Sequence, residues 1–264
     1  MKKTGESFEK LLEIMARLRG PNGCPWDKEQ TYQTITPYLL EEAHETVEAI
    51  DKNDFESLKE ELGDLLMQIA FYCQMASEEK KFNAEDVIEK ICEKLVRRHP
   101  HVFGEEKVTG SKEVLENWEK IKQVENKGKR ESILDGIPKT IPAIIRAFRL
   151  GEKSSRVGFD WGDVKGIWDK VLEETKELEE AFDSDIVRRT SNIEHEYGDL
   201  LFTLANLGRF LNVDPETALR QASERFTKRF QHIEKKCRTQ NKTLQSLSPK
   251  EWNEGWETAK KETL

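Results

Sequence analysis

Five blocks of this 264-residue sequence occur twice, in the same order. Cys24-Pro-Trp-Asp27 precedes an acidic block, Glu41-Glu-Ala-His-Glu45. Phe159-Asp-Trp-Gly162 precedes a second one, Glu173-Glu-Thr-Lys-Glu177. Glu61-Leu-Gly-Asp-Leu-Leu66 returns as Glu196-Tyr-Gly-Asp-Leu-Leu201, and Glu93-Lys-Leu-Val-Arg-Arg98 returns as Glu224-Arg-Phe-Thr-Lys-Arg229. Trp118-Glu-Lys-Ile-Lys122 returns as Trp256-Glu-Thr-Ala-Lys260. Ordered self-similarity of this kind is the mark of a duplicated structural unit, so both halves must fold alike. The halves are residues 1–123 and 133–264, and the polar stretch 124–132, which carries a glycine, reads as the linker between them.

Each half is helical in pattern. Apolar residues recur at helical spacing over Phe8–Arg19, Thr36–Ile50, Leu58–Ala76 and Ala84–Arg98. The second series runs over Pro142–Arg156, Val164–Phe182, Ile193–Leu211 and Pro215–Arg238. Strand signals are weak, and residues 101–109 form at most a short extended piece. With 15 Gly and 8 Pro the chain has few helix breakers, and its 36% of charged residues suit exposed helix faces. The fold class is all-α: two tandem helical bundles. Cys24-Pro-Trp-Asp27 reads as a loop that caps the first bundle.

The acidic blocks are unusual for helix surfaces. Residues three apart share a face, with Cβ atoms about 5–6 Å apart. That pairs Glu42 with Glu45, Glu61 with Asp64, Glu174 with Glu177, and Glu196 with Asp199. Surface carboxylates usually have a Lys or Arg three or four positions away. Of these eight acids only Glu174 has one, Lys170. Asp64 and Asp199 also open runs that are apolar on almost every side, which predicts buried helices. At an effective dielectric of about 20, two carboxylates 5–6 Å apart repel by about 3 kcal/mol. A divalent cation removes that cost, and an all-oxygen set favours magnesium or manganese over zinc.

The basic residues fit the same chemistry. Lys94, Arg97 and Arg98 lie on a later helix, as do Arg225, Lys228 and Arg229. A metal on carboxylates with nearby Arg and Lys suits a polyphosphate. Trp118 and Trp256 either stack on a base or plug the core. No GxxxxGK[ST] or GxGxxG loop is present, and no Ser-His-Asp or Cys-His arrangement stands out. Attack by an activated water is the simplest chemistry.

Other classes fall away. The net charge is −8 and the cations form no single block, which argues against a nucleic-acid polymer as partner. Cys24, Cys73, Cys92 and Cys237 form no CxxC pair and read as reduced thiols of a cytoplasmic protein. The charged N-terminus is unlike a signal peptide, and no apolar run is long enough to span a bilayer, so no membrane is expected.

The EExxE and ExxD blocks, the GCPWD loop, the duplicated layout and Arg97-Arg-His-Pro-His101 together resemble the MazG-type nucleoside triphosphate pyrophosphohydrolases, of the all-α NTP pyrophosphatase superfamily. The resemblance covers nearly the whole chain. It implies a bundle that dimerises or forms a higher homo-oligomer, with each site built from four helices. It implies magnesium-dependent cleavage of nucleoside and deoxynucleoside triphosphates between the α and β phosphates, with broad base tolerance and a housecleaning role. The metal ligands carry over to Glu42, Glu45, Glu61 and Asp64, and to Glu174, Glu177, Glu196 and Asp199. Glu41 and Glu173 would orient water or act as base. Arg225, Arg229, Trp256, Lys260 and Asn206 would bind phosphate and nucleotide, with Lys94, Arg97, Arg98 and Lys122 as first-repeat counterparts. Phe71 stands where the second repeat has Asn206, and His195 stands where some relatives have an extra Glu. One repeat could instead serve dimerisation or regulation. A di-iron bundle would use the ExxH of Glu41 and His44, but needs it twice, and Lys176 replaces His44 in the second half.

Overall fold

A computed structural model of the chain describes residues 2–125, 128, 131–183 and 186–262. Two compact units emerge, 1–125 and 126–264. All regular structure among the described residues is helical.

The first unit holds α1 (Lys2–Arg19), α2 (Pro25–Glu29), α3 (Tyr32–Lys52), α4 (Phe55–Glu78), α5 (Ala84–Arg98), α6 (Pro100–Phe103) and α7 (Ser111–Glu125). The α3–α4 hairpin sets the geometry of the site. Thr31 caps α3 through a reciprocal box with Thr34, satisfying two otherwise unpaired donors. The helix ends at Asn53, whose φ of 53° is the left-handed conformation that stops helices. Asp54 then accepts from the backbone N–H groups of Glu56 and Ser57 and starts α4 at once. So tight a connection lays α3 and α4 side by side in opposite directions.

Beneath this hairpin Met15 of α1, Ile35, Phe71 and Met75 form the core, flanked by Tyr32, Met67 and Tyr72. Full burial of a side chain such as Ile35 contributes about 2 kcal/mol. Arg19 anchors α1 to the end of α4: it pairs with Glu78 at 2.8 Å and lies 5.3 Å from the centre of the Phe71 ring.

The second unit holds α8 (Ala143–Ser155), α9 (Val164–Asp183), α10 (Ile186–Leu211), α11 (Pro215–Thr239) and α12 (Pro249–Glu262). Its core joins Ile167, Val171 and Leu207, with Trp161, Leu200 and Phe210 around them. Helix α8 crosses α10 closely because Gly151 has no side chain: a Cβ there would lie 1.5 Å from Oδ1 of Asn206.

Several expectations change. Residues 101–103 are helical rather than extended: Pro100 opens α6, the carbonyl of His99 accepts from the N–H groups of Val102 and Phe103, and the chain leaves the helix at Gly104. The Cys24–Asp27 segment is a one-turn helix rather than a loop, since Pro25 suits a first helical position. Helix α7 runs through Glu125, two residues into the expected linker. Within that linker 126, 127, 129 and 130 lie outside the described residues, and Gly128 adopts a φ of 78°. The runs after Asp64 and Asp199 are buried on one side only. Gln68, Ala70, Phe71, Cys73, Met75 and Ala76 are covered, but Leu62, Leu66 and Ile69 are exposed, as are Leu201 and Leu204 of α10. All-round apolarity signals that both faces seek cover, and one unit supplies cover for only one of them.

Candidate functional site

The hairpin brings the first acids together across two helices. Carboxylate oxygens of Glu42 and Glu45 on α3 and Glu61 on α4 all lie within 4.8 Å of one another. The carboxyl of Glu42 is held above its ordinary value by partial burial, then by the charges of Asp64, Glu45 and Glu61. That of Glu61 is raised by desolvation, then by Glu45 and Asp64. Asp64 is therefore an electrostatic neighbour of the triad. The second unit builds the same triad from Glu174 and Glu177 on α9 and Glu196 on α10, again within 4.8 Å. Burial and the charge of Glu174 raise the Glu177 carboxyl, while Lys170 opposes the shift.

The two sets are not identical. Lys170 bonds Glu173 at 2.7 Å and the buried Glu174 at 2.8 Å, so an internal ammonium neutralises part of the second set. Its counterpart by the repeat is Tyr38, which carries no charge. Asp199 joins a further group with His195 and Glu196, the His195 Nδ1 lying 3.1 Å from Asp199. The donor sets fit a hard divalent cation. The mutual repulsion of three converging carboxylates is what a cation relieves, and the triads contain oxygen donors only. His44 is exposed and outside the clustered donors, which leaves the di-iron arrangement without its histidine.

Glu41 and Glu173 are exposed and stand outside both triads; Glu173 is engaged by Lys170. Asn206 is fully buried. It donates to the Phe202 carbonyl at 2.9 Å and accepts from Arg209 at 3.2 Å, and Arg209 pairs with Asp160 at 2.7 Å. It also lines a recess of about 480 Å³ with Phe159, Trp161 and Phe202.

The cations gather around the tryptophans. In the first unit Arg98 and Lys122 lie 5.8 and 4.8 Å from the Trp118 ring centre. In the second, Arg229 lies 5.9 Å from that of Trp256, and Lys260 pairs with Glu257 at 2.6 Å. Lys94 and Arg225 are exposed. Arg97 and Arg98 make no ion pair with the first triad, nor do Arg225 and Arg229 with the second. Helix α5 buries none of its residues and exposes Val87, Ile88, Ile91 and Leu95, so the cations stand on an uncovered helix. Three contacts had no signal in sequence: the Arg209–Asp160, Arg97–Glu125 and Arg98–Glu125 pairs join residues far apart in the chain. Lys170 did have one, its spacing of three and four from Glu173 and Glu174.

Comparison with known proteins bears on this geometry. The MazG nucleotide pyrophosphohydrolase domain matches residues 30–103, the span from α3 through α6 that holds the first triad. A protein of Thermotoga maritima named nucleoside triphosphate pyrophosphohydrolase/pyrophosphatase MazG is 45% identical over 260 residues, covering 98% of either chain. The chain belongs to the MazG nucleotide pyrophosphohydrolase family. A second MazG-family relative, the Escherichia coli K12 protein named nucleoside triphosphate pyrophosphohydrolase, is 43% identical over 259 residues, 97% of this chain and 98% of its own. Bacillus subtilis YabN is 44% identical over 258 residues, which are 96% of this chain and 52% of YabN. No described helix is long and apolar enough to cross a membrane.

Proposed function

We propose that this MazG-family chain hydrolyses nucleoside and deoxynucleoside triphosphates to the monophosphate and pyrophosphate, with broad base tolerance, clearing unwanted nucleotides or tuning nucleotide signals in starvation. The observation that carries the reading is the pair of carboxylate triads, each followed along the chain by an Arg–Trp cluster. The whole-length relatives named for this activity support it.

Glu42, Glu45, Glu61 and Asp64 would hold Mg2+, with Mn2+ as substitute, in one repeat, and Glu174, Glu177, Glu196 and Asp199 would do so in the other. When bound, the metal draws off phosphate charge and makes water more acidic. Glu41 and Glu173 stand beside the ligands and orient the attacking water or take its proton. Water adds to the α-phosphorus, the bond to the bridging oxygen breaks, and pyrophosphate carries the released electron pair away. Arg225, Arg229 and Lys260 in the second repeat, and Lys94, Arg97, Arg98 and Lys122 in the first, offset the charge of the leaving phosphates. Trp256 and Asn206 border the nucleotide.

The assembly is a homo-oligomer, a dimer or higher. Its support is the row of exposed Leu62, Leu66 and Ile69 on one side of α4 and of exposed Leu201 and Leu204 on α10, since apolar side chains exposed together mark interaction sites. The charge and cysteine usage support a cytoplasmic protein that binds no nucleic-acid polymer. The test is pyrophosphate release from all eight common triphosphates, run separately on Glu42→Ala and Glu174→Ala. Release from several bases that requires Mg2+ supports the reading; release of orthophosphate alone, or no release from any of them, refutes it.

A further inference from the structure

Glu125, the last residue of α7, closes on both arginines at the end of α5. Its Oε1 accepts from Nε of Arg97 at 2.7 Å. Its Oε2 accepts from Nη2 and Nε of Arg98 at 2.5 and 3.1 Å. The contact is sheltered, with the Glu125 side chain 18% and that of Arg98 13% exposed. Arg98 in turn lies against Trp118, whose other neighbour is Lys122. Two guanidiniums converging on one set of oxygens is how arginines hold phosphate.

Among the described residues the second unit repeats the arginine and the indole without a carboxylate hydrogen-bonded to the arginine: Glu257 pairs with Lys260 at 2.6 Å and acts on Arg229 through charge alone. Arg229 lies over Trp256, and among the described residues no carboxylate pairs with it. Its Nε is buried with no partner. The residue seven places after Trp256, matching Glu125 after Trp118, is Thr263, which lies outside the described residues.

We propose that Glu125 is an internal anion seated on the phosphate-binding cations of the first repeat, so that a polyphosphate reaches Arg97 and Arg98 only by displacing it. The inference rests on the reading of these cations as phosphate ligands. It makes the two repeats unequal among the described residues: the arginines of the first are latched by a hydrogen-bonded carboxylate, and Arg229 of the second is not. It also makes the first repeat selective, because a triphosphate brings more charge to the exchange than a monophosphate does.

The test uses the full chain with the second repeat silenced by Glu174→Ala and Arg229→Ala, which remove a metal ligand and a phosphate cation of that repeat. Inorganic tripolyphosphate is titrated calorimetrically in Mg2+. Adding Glu125→Gln is expected to tighten binding about tenfold, and adding Arg98→Ala on top is expected to remove the gain. Glu125→Asp withdraws the charge by one methylene and should give a smaller gain; it decides the matter if Glu125→Gln does not fold. If the folded Glu125 variants bind no tighter while Arg98→Ala alone weakens binding, the latch is refuted and the phosphate reading stands. If none of these changes alters binding, the cations do not hold phosphate and both fall.

Discussion

Removing one carboxylate from the first triad is expected to stabilise the metal-free protein while it destroys metal linkage. Ligand oxygens of Glu42, Glu45 and Glu61 lie within 4.8 Å of one another. At that separation two full charges repel by about 1 kcal/mol in water and about 3 kcal/mol at an effective dielectric of 20. Glu42 is only half buried, so solvent screening keeps the relief near the lower figure. Glu42→Gln should therefore gain about 1 kcal/mol in EDTA, a rise of about 3–5 °C in melting temperature for a unit of this size. The sign follows from linkage. The folded-state Glu42 carboxyl is raised above 4.5, so its charge costs stability at neutral pH, and that cost fades as pH falls towards 4.5. Saturating Mg2+ should reverse the order, because at a hundred times its dissociation constant a ligand adds about 2.7 kcal/mol to the wild type. Melting followed by circular dichroism, in EDTA and in graded Mg2+, reads both effects. A Glu42→Gln variant that is less stable than wild type in EDTA, or that gains as much from Mg2+, would refute the electrostatic reading.

Other outcomes follow from single contacts. Gly151→Ala gains helix propensity but drives its methyl into Asn206, so a net loss of about 1–3 kcal/mol is expected in urea unfolding, relieved by adding Asn206→Ala; a stabilised single variant would sink the packing argument. Glu125 is held down at about 2 by hydrogen bonds from Arg98 and Arg97 against the burial that opposes them, so its stabilisation is full above pH 4.5 and fades as pH falls towards 2. The stability gap between wild type and Glu125→Gln should close over that window, and a gap independent of pH would contradict the pairing. Leu66→Glu with Ile69→Glu places charge on the uncovered face of α4 and should shift the chain towards monomer by light scattering; an unchanged mass would remove α4 from the interface.

The clustering of Glu42, Glu45 and Glu61, and of Glu174, Glu177 and Glu196, was legible in part from two simple rules: acids spaced by three on a helix, and no Lys or Arg three or four positions away except Lys170. The all-α class was legible from long apolar periodicity in the stretches that became α1, α3, α4 and α5 and their second-half equivalents. Helices α7 and α12 went unassigned because their apolar residues are few among many Glu, Lys and Asn, leaving little periodicity to read. The one-turn helices α2 and α6 depend on a proline at their start rather than on any pattern. Around Asp64 and Asp199 the sequence announces a need for burial on all sides without naming what covers each side. Leu62, Leu66 and Ile69 therefore read as core when they are surface on a single unit. Glu125 lies 27 residues from Arg98, and no local rule joins them. Asp160 is likewise 49 residues from Arg209.

The most direct test is product analysis by phosphorus NMR of a deoxynucleoside triphosphate incubated with wild type and with the Glu42→Ala, Glu174→Ala double variant in Mg2+. The wild type should yield equal monophosphate and pyrophosphate and the double variant neither. Undiminished pyrophosphate release by the double variant would contradict the assignment of these acids as the seat of hydrolysis.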